Sequence, residues 1–401
     1  MAKKNDDFFK VKKPWSEVKD ELLGCYLKPY IQKILHTQRP IIYVDCFAGK
    51  GKFEDGKPGS PLIALNTIQG CLGYTKMNDW NIKPFFIDVN YADDLRTNLT
   101  EYGEVGIISG RYEDEIEKLL SDKSGCNVFL YIDPYGIKAL NYGLFQSFST
   151  RYKFNSIELL INMNSFGFIR EGCRVLGVPF EDASIFEDLI EYESTKLEAN
   201  EKSVNVLNNI AGGDYWQEII KAKNRNEISV YEAEAQFAEQ YCDRLRQNFK
   251  YVLNMPLKIK RGQLPKYRMI HATNHVDGCL LMVDNICCRW QLMKDIQDGG
   301  QMQLWEENYN NDMVDEEDIR KKVVEHVSGY FSFCRLNIVL ADFFMKYGPI
   351  CKASVVKSVY KDLEDQGMLE VQRTPAYTKG GKPSSFFADE KKQRTEIRWH
   401  S

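Results

Sequence analysis

The sequence lacks several features that would settle its class at a glance. Its 11 cysteines include no CxxC pair, and Cys287 and Cys288 are adjacent. Zinc knuckles and disulfides both need spacing that this pattern does not offer. Scattered cysteines of this kind read as reduced, buried thiols of a cytoplasmic protein. There are only 5 histidines. His271 and His275 are four apart but flank the end of an expected strand, so no metal site is expected. No apolar run approaches the roughly 18–20 residues of a membrane span. Met1-Ala2-Lys3-Lys4-Asn5-Asp6-Asp7 has no apolar core and is no secretory signal. A basic excess is missing too: net charge is −4 and the pI is near 5.9. Any surface for nucleic acid must therefore be local. Internal repeats and low-complexity tracts are absent.

What is present is enough for more than one domain. At 401 residues and 43% apolar content, the chain can build two or three modules with real cores. Residues 1–13 are charged and expected to fray. After Pro14, the positions Val18, Leu22, Leu23, Leu27, Ile31, Ile34 and Leu35 repeat at helical spacing. Pro29 is expected to kink that helix, and Tyr26 and Tyr30 to pack beside its apolar stripe. Strands are then expected at 41–46, 84–89, 105–109, 128–133 and 156–162, with helices between them. Such alternation over about 120 residues argues for a parallel α/β sheet with right-handed crossovers.

The chain then turns helical from about 166 to 250, as an insertion. Segments 180–197 and 231–249 are its expected helices. Strands at 251–260 and 266–273, joined by Arg261-Gly262-Gln263-Leu264-Pro265, read as a hairpin. A helix over 278–295 completes a first domain of 1–298. Residues 299–325 are polar and acidic and read as a linker. The remainder, 326–401, has helices at 336–347 and 354–366, the latter capped by Gly367. Short strands at 368–373 and 384–387 flank Tyr377-Thr378-Lys379-Gly380-Gly381-Lys382. That order is the order of a winged helix-turn-helix.

The chemistry centres on Ile41-Ile42-Tyr43-Val44-Asp45-Cys46-Phe47-Ala48-Gly49-Lys50-Gly51. An apolar strand ends in an acid, and two glycines follow where a backbone must approach a ligand closely. Glu54 stands where a dinucleotide fingerprint needs its third glycine, and the spacing is not that of a P-loop. Acids end three strands: Asp45, Asp88 and Asp133. Ligands of open α/β sheets bind beyond such ends. Asp88, after the second strand, is placed to accept hydrogen bonds from two ribose hydroxyls. Asn162 and Asn164 leave the fifth strand and are further candidates for the pocket.

Phe47-Ala48-Gly49-Lys50-Gly51 resembles motif I of class I S-adenosylmethionine-dependent methyltransferases. The resemblance implies a Rossmann-like sheet, with Asp45, Phe47, Ala48, Gly49, Gly51 and Asp88 holding S-adenosylmethionine. Asp133-Pro134-Tyr135-Gly136 resembles motif IV of methyltransferases that act on base amino groups. There a carboxylate and a proline-fixed carbonyl accept hydrogen bonds from the amino group, and the aromatic ring stacks on the base. This chain has one proline where that motif has two. With Gly59-Ser60-Pro61-Leu62 and Ala272-Thr273-Asn274-His275-Val276-Asp277-Gly278, the stretch 20–290 is similar to the three-Cys-motif partner proteins. That family implies a second partner, a radical-S-adenosylmethionine-like protein carrying the three cysteines.

Asn274 and His275 are candidate substrate contacts, because they leave a late strand. Lys352, Lys357, Lys361, Lys379 and Lys382 are candidate nucleic-acid contacts of the winged helix, with protein docking as its alternative use. Three functions remain open at this point. One is methyl transfer to nucleic acid. Another is a non-catalytic partner that keeps the fold. The third is a different enzyme that uses the same cofactor fold on a small molecule or a protein side chain.

Overall fold

The computed structural model describes residues 6–73, 82–103, 105–180, 197–258, 264–297, 315–390 and 392–400. Contact density divides the chain into two units. The first holds the described residues up to Asn274 and those after Gln291 as far as 297. The second holds His275–Gln291 and the described residues from 315 onward.

The first unit opens with a short 3₁₀ turn, Asp6–Phe9, and helix α1, Pro14–Ile34. α1 runs through Pro29 without ending there. Val18, Leu22, Leu23, Tyr26, Leu27, Tyr30 and Ile31 are buried along it. Tyr26 and Tyr30 both pack on Phe129. This burial outweighs the local cost of the proline.

Strands and helices then alternate as the apolar pattern requires. In order they are β1 Ile41–Asp45, α2 Ser60–Gly73, β2 Ile82–Asp88, α3 Ala92–Asn98, β3 Gly106–Ser109 and α4 Tyr112–Leu120. β4 Asn127–Ile132, α5 Tyr142–Thr150 and β5 Ser156–Met163 follow. Next come α6 Ser165–Val175, α7 Glu201–Ala211, α8 Tyr215–Asn224 and α9 Val230–Arg246. These four helices form the expected insertion; of the acidic helix expected at 180–197, residues 181–196 lie outside the described residues. β6 Tyr251–Leu257 and β7 Tyr267–Thr273 close the sheet. Residues 259–263 of their connection are likewise outside.

The seven strands lie in the order β3-β2-β1-β4-β5-β7-β6. β1 pairs in parallel with β2 and β4, and β4 with β5. β7 is antiparallel to both β5 and β6. β1 and β4 are buried along their whole length, which is why they read as continuous apolar runs. A buried carboxylate joins α1 to the far strands. Glu158 on β5 accepts from the Tyr26 hydroxyl and, at 3.1 Å each, meets His271 and the Thr273 hydroxyl.

Helix α10, Val276–Gln297, leads onward from β7. The acidic stretch expected to be a linker is helical in part: α11 spans Glu316–Val327, begun by Asp315, whose side chain accepts from Asp318 N–H. Residues 298–314 lie outside the described residues. β8 Cys334–Arg335, α12 Leu336–Tyr347, α13 Ala353–Asp365, β9 Leu369–Thr374 and β10 Arg394–Trp399 complete the second unit. Its sheet has the order β8-β10-β9. The strand expected at 384–387 is not one, and β10 takes that place in the pairing. Thr395 and Ile397 are fully buried at alternate positions of β10, the two-residue period of a strand. Gly367 ends α13 in the left-handed region, with φ 72°, as a helix-terminating glycine should.

Candidate functional site

The strand order reverses between β1 and β4. From β1 the chain builds outward through β2 and β3, then crosses back to place β4 on the other side of β1. Such a switch point leaves a crevice beyond the carboxyl ends of the two strands. A cleft of about 630 Å³, its open mouth included, lies there. Phe47, Ala48, Gly49 and Gly51 line it after β1, and Asp133, Pro134 and Tyr135 after β4. Two motifs that are far apart in sequence are thus brought together as its walls.

The glycine turn is held by main-chain bonds. Cys46 N–H donates to Tyr131 O, Ala48 N–H to Ile87 O, and Gly59 N–H to Gly51 O. Gly49 and Gly51 have φ of 60° and 77°, a region that penalises any side chain. A Cβ on Gly49 would lie 2.8 Å from the Phe9 ring.

Asp45 is fully buried behind this wall. Its Oδ1 accepts from Phe47 N–H at 3.2 Å, while Oδ2 has no hydrogen-bond partner among the described residues. Burial pushes its carboxyl up to about 7, and Ser60 and Phe47 oppose that shift only in part. Asp88, expected to meet two ribose hydroxyls, accepts three main-chain hydrogen bonds. Its Oδ2 accepts from Gly49 N–H at 2.9 Å, and its Oδ1 from Asn90 and Tyr91 N–H at 2.8 Å each. The carboxylate thereby clamps the glycine turn to the start of α3.

Asp133 is similarly engaged. Lys19 Nζ donates to both its oxygens, at 3.0 and 2.8 Å. Asn162 Nδ2 donates to Oδ1 at 2.6 Å, and the Tyr131 hydroxyl reaches Oδ2 at 3.3 Å. Two carboxylate oxygens offer about four acceptor positions, so these donors fill them. Gly136 does not line the cleft, whereas Tyr135 is 37% exposed at its rim.

Helix α1 supplies residues that pattern reading missed. Ser16, Lys19 and Asp20 all line the cleft. Ser16 Oγ is buried and has no partner among the described residues. Asp20 pairs with Lys12 at 2.5 Å, and burial still pushes its carboxyl up to about 6. Lys19 and Asp133 are 114 positions apart, so no local signal could have joined them. Residues 6–13, expected to fray, contribute Phe8 and Phe9 to the cleft.

Asn274 and His275 are not brought to the cleft. β7 is antiparallel, and Thr273 pairs with Glu158 near the start of β5, so its carboxyl end lies at the opposite edge of the sheet. Asn274 instead accepts from Lys250 N–H at 2.7 Å. His275 Nδ1 accepts from Asp277 N–H. In the second unit Lys361 is neutralised by Glu364 and Asp365. Among the described residues, Lys352, Lys357, Lys379 and Lys382 have no such partner.

No protein-family model matches the chain, and no curated protein does. Among solved structures, it is similar to LPL1258 from Legionella pneumophila at 10% identity and a TM-score of 0.36, over 64% of this chain and 84% of that one. It is similar to YhhF from Escherichia coli, proposed to be a methyltransferase, at 14% identity and a TM-score of 0.23, over 35% and 68%. It is similar to the CurJ carbon methyltransferase at 12% identity and a TM-score of 0.30, over 63% and 54%. At these TM-scores the likeness carries no argument for activity. The chain is a mixed α/β protein with a mostly parallel central sheet, and none of its described helices is long and apolar enough to cross a membrane.

Proposed function

We propose that the first unit is a Rossmann-like class I methyltransferase fold that binds S-adenosylmethionine, and that it methylates an amino group of a nucleic-acid base. One observation carries the cofactor reading: the bare glycine turn and the Asp133-Pro134-Tyr135 segment converge on the switch-point cleft. A single antiparallel strand set between β5 and β6 is also what the class I sheet would require. The residues fit the cofactor in kind. Gly49 and Gly51 keep the backbone bare, and Ser16 Oγ and Asp45 Oδ2 are buried polar atoms without partners among the described residues.

S-adenosylmethionine would supply an activated methyl group. The chain's own part is alignment, which methyl transfer needs more than a base. Pro134 and Tyr135 would position the acceptor base, while Lys19 and Asn162 fix Asp133 beneath it.

A second reading draws on the same geometry. Asp133 has its four acceptor positions filled by the protein itself, and Asp88 has three of its four taken by main-chain N–H groups. A non-catalytic partner that retains the fold would look like this. For the second unit we propose a winged helix that contacts nucleic acid through Lys352, Lys357, Lys379 and Lys382. Its order of helix, strand, two helices and an antiparallel pair supports that reading. The three-Cys-motif protein is proposed as partner on the resemblance alone.

Isothermal titration with S-adenosylmethionine tests the first reading. Wild type should bind, and folded Asp45→Asn should bind measurably more weakly. No binding by wild type removes the cofactor reading. Binding without methyl transfer to DNA or RNA, together with co-purification of the three-cysteine protein, supports the second.

A further inference from the structure

We propose that residues 6–12 form a strap that competes with the cofactor for the glycine turn. The proposal rests on the cofactor reading given above. Phe9 is only 4% exposed, and its ring fills the space that the missing Cβ of Gly49 leaves open. The ring packs edge-on against Tyr91 at 5.0 Å and lies 5.8 Å from Phe53. Phe8 meets Phe9 edge-on at 5.1 Å and Tyr135 edge-on at 5.6 Å. The two phenylalanines therefore bridge both walls of the switch-point cleft.

The strap is latched by its backbone and by charge. Glu54 N–H donates to Phe9 O at 2.8 Å, and Lys12 N–H donates to Asp55 Oδ2 at 3.1 Å. Lys12 Nζ donates to Pro58 O at 2.9 Å, besides its pairing with Asp20. Lys50 pairs with Asp6 at 2.9 Å and sits over the Phe9 and Tyr91 rings, at 5.3 and 5.4 Å.

A glycine backbone suited to close approach is thus covered by an aromatic ring of the same chain. Anything that reaches Gly49 must first move Phe9. The strap belongs to no sheet, and its own Val11 is 56% exposed. A short terminal segment held outside the sheet can open without unfolding the core strands.

Two measurements test the competition. Titration with S-adenosylmethionine compares wild type with the Phe8→Ala/Phe9→Ala double variant, and tryptic cleavage after Lys10 is timed in wild type with and without the cofactor. The variant should bind about tenfold more tightly, because apparent affinity scales with the open fraction. The cofactor should speed cleavage after Lys10. If the double variant does not fold, Asp55→Ala loosens the Lys12 latch and leaves the rings in place; it should tighten binding in the same direction. Equal or weaker binding by the variants, or slower cleavage with cofactor, overturns the strap alone. No binding by wild type or any variant overturns the cofactor reading and the strap's competition with it.

Discussion

Asp45 shows how a single side chain ties stability to pH. Its carboxyl ionises at about 7 in the folded protein, against 3.8 in the absence of burial. Below about pH 4 both folded and unfolded states hold the proton, so it contributes nothing. Between 4 and 7 the unfolded chain has released a proton that the folded chain keeps, and stability falls as pH rises. Above 7 the cost is constant. Asp45→Asn removes it, so thermal melting should show the variant gaining on wild type from pH 4 to 7 and levelling off above. The shift (7 − 3.8) sets an upper bound of about 4 kcal/mol. A gain that is the same at every pH would show that Asp45 is not held protonated. Gly49 makes a second residue-scale case. With φ at 60° and the Phe9 ring 2.8 Å from a built Cβ, Gly49→Ala should cost about 2 kcal/mol in urea unfolding.

Among the elements, β5 and β7 are bound to α1 through Glu158. Three side chains, Tyr26, His271 and Thr273, converge on its carboxylate. Removing a buried acceptor strands its donors, which costs more than the bonds themselves contribute. Glu158→Ala should therefore lose about 3 kcal/mol in urea unfolding, and Glu158→Gln clearly less. Equal losses would mean that packing volume, not the acceptor, matters there. The β6–β7 hairpin explains why Asn274 and His275 miss the cleft. A short connection can join only antiparallel neighbours, and an antiparallel strand sends its carboxyl end to the opposite edge. The hairpin at 251–273 was readable from the sequence, whereas which of its strands runs against the rest of the sheet was decided by the pairing of β7 with β5.

For the whole molecule, the useful distinction is between charges that are paired and charges that are not. Net charge is −4, so binding to a polyanion must come from a local set of lysines. Lys361 is held by two carboxylates, whereas Lys379 and Lys382 are exposed and lack them among the described residues. If the second unit contacts duplex DNA, Lys379→Ala/Lys382→Ala should reduce the slope of log K against log salt by about 1.8, or roughly 0.9 per lost phosphate contact. Lys361→Ala should leave the slope nearly unchanged. Fluorescence anisotropy over a salt series reads this directly, and equal slopes for all three proteins would remove these lysines from the interface.

Local pattern was enough for the sheet strands, the helices between them, the glycine turn and the hairpin. Each depends on apolar periodicity or on backbone dihedrals that few residues allow, and both are written residue by residue. Pattern also singled out Asp45, Asp88 and Asp133, because buried strands end where a polar residue first becomes tolerable. Their partners were decided only in three dimensions. Lys19 and Asn162 reach Asp133, Gly49 N–H reaches Asp88, and Phe9 reaches Gly49, each across long stretches of chain. Which donor fills a carboxylate depends on how α1, β4 and β5 pack, and no window of sequence contains that packing. The sequence by itself therefore determined which strand ends carry acids and where the chain needs bare glycines. The tertiary structure decided which donors those acids accept from, and that the Phe9 ring lies against Gly49.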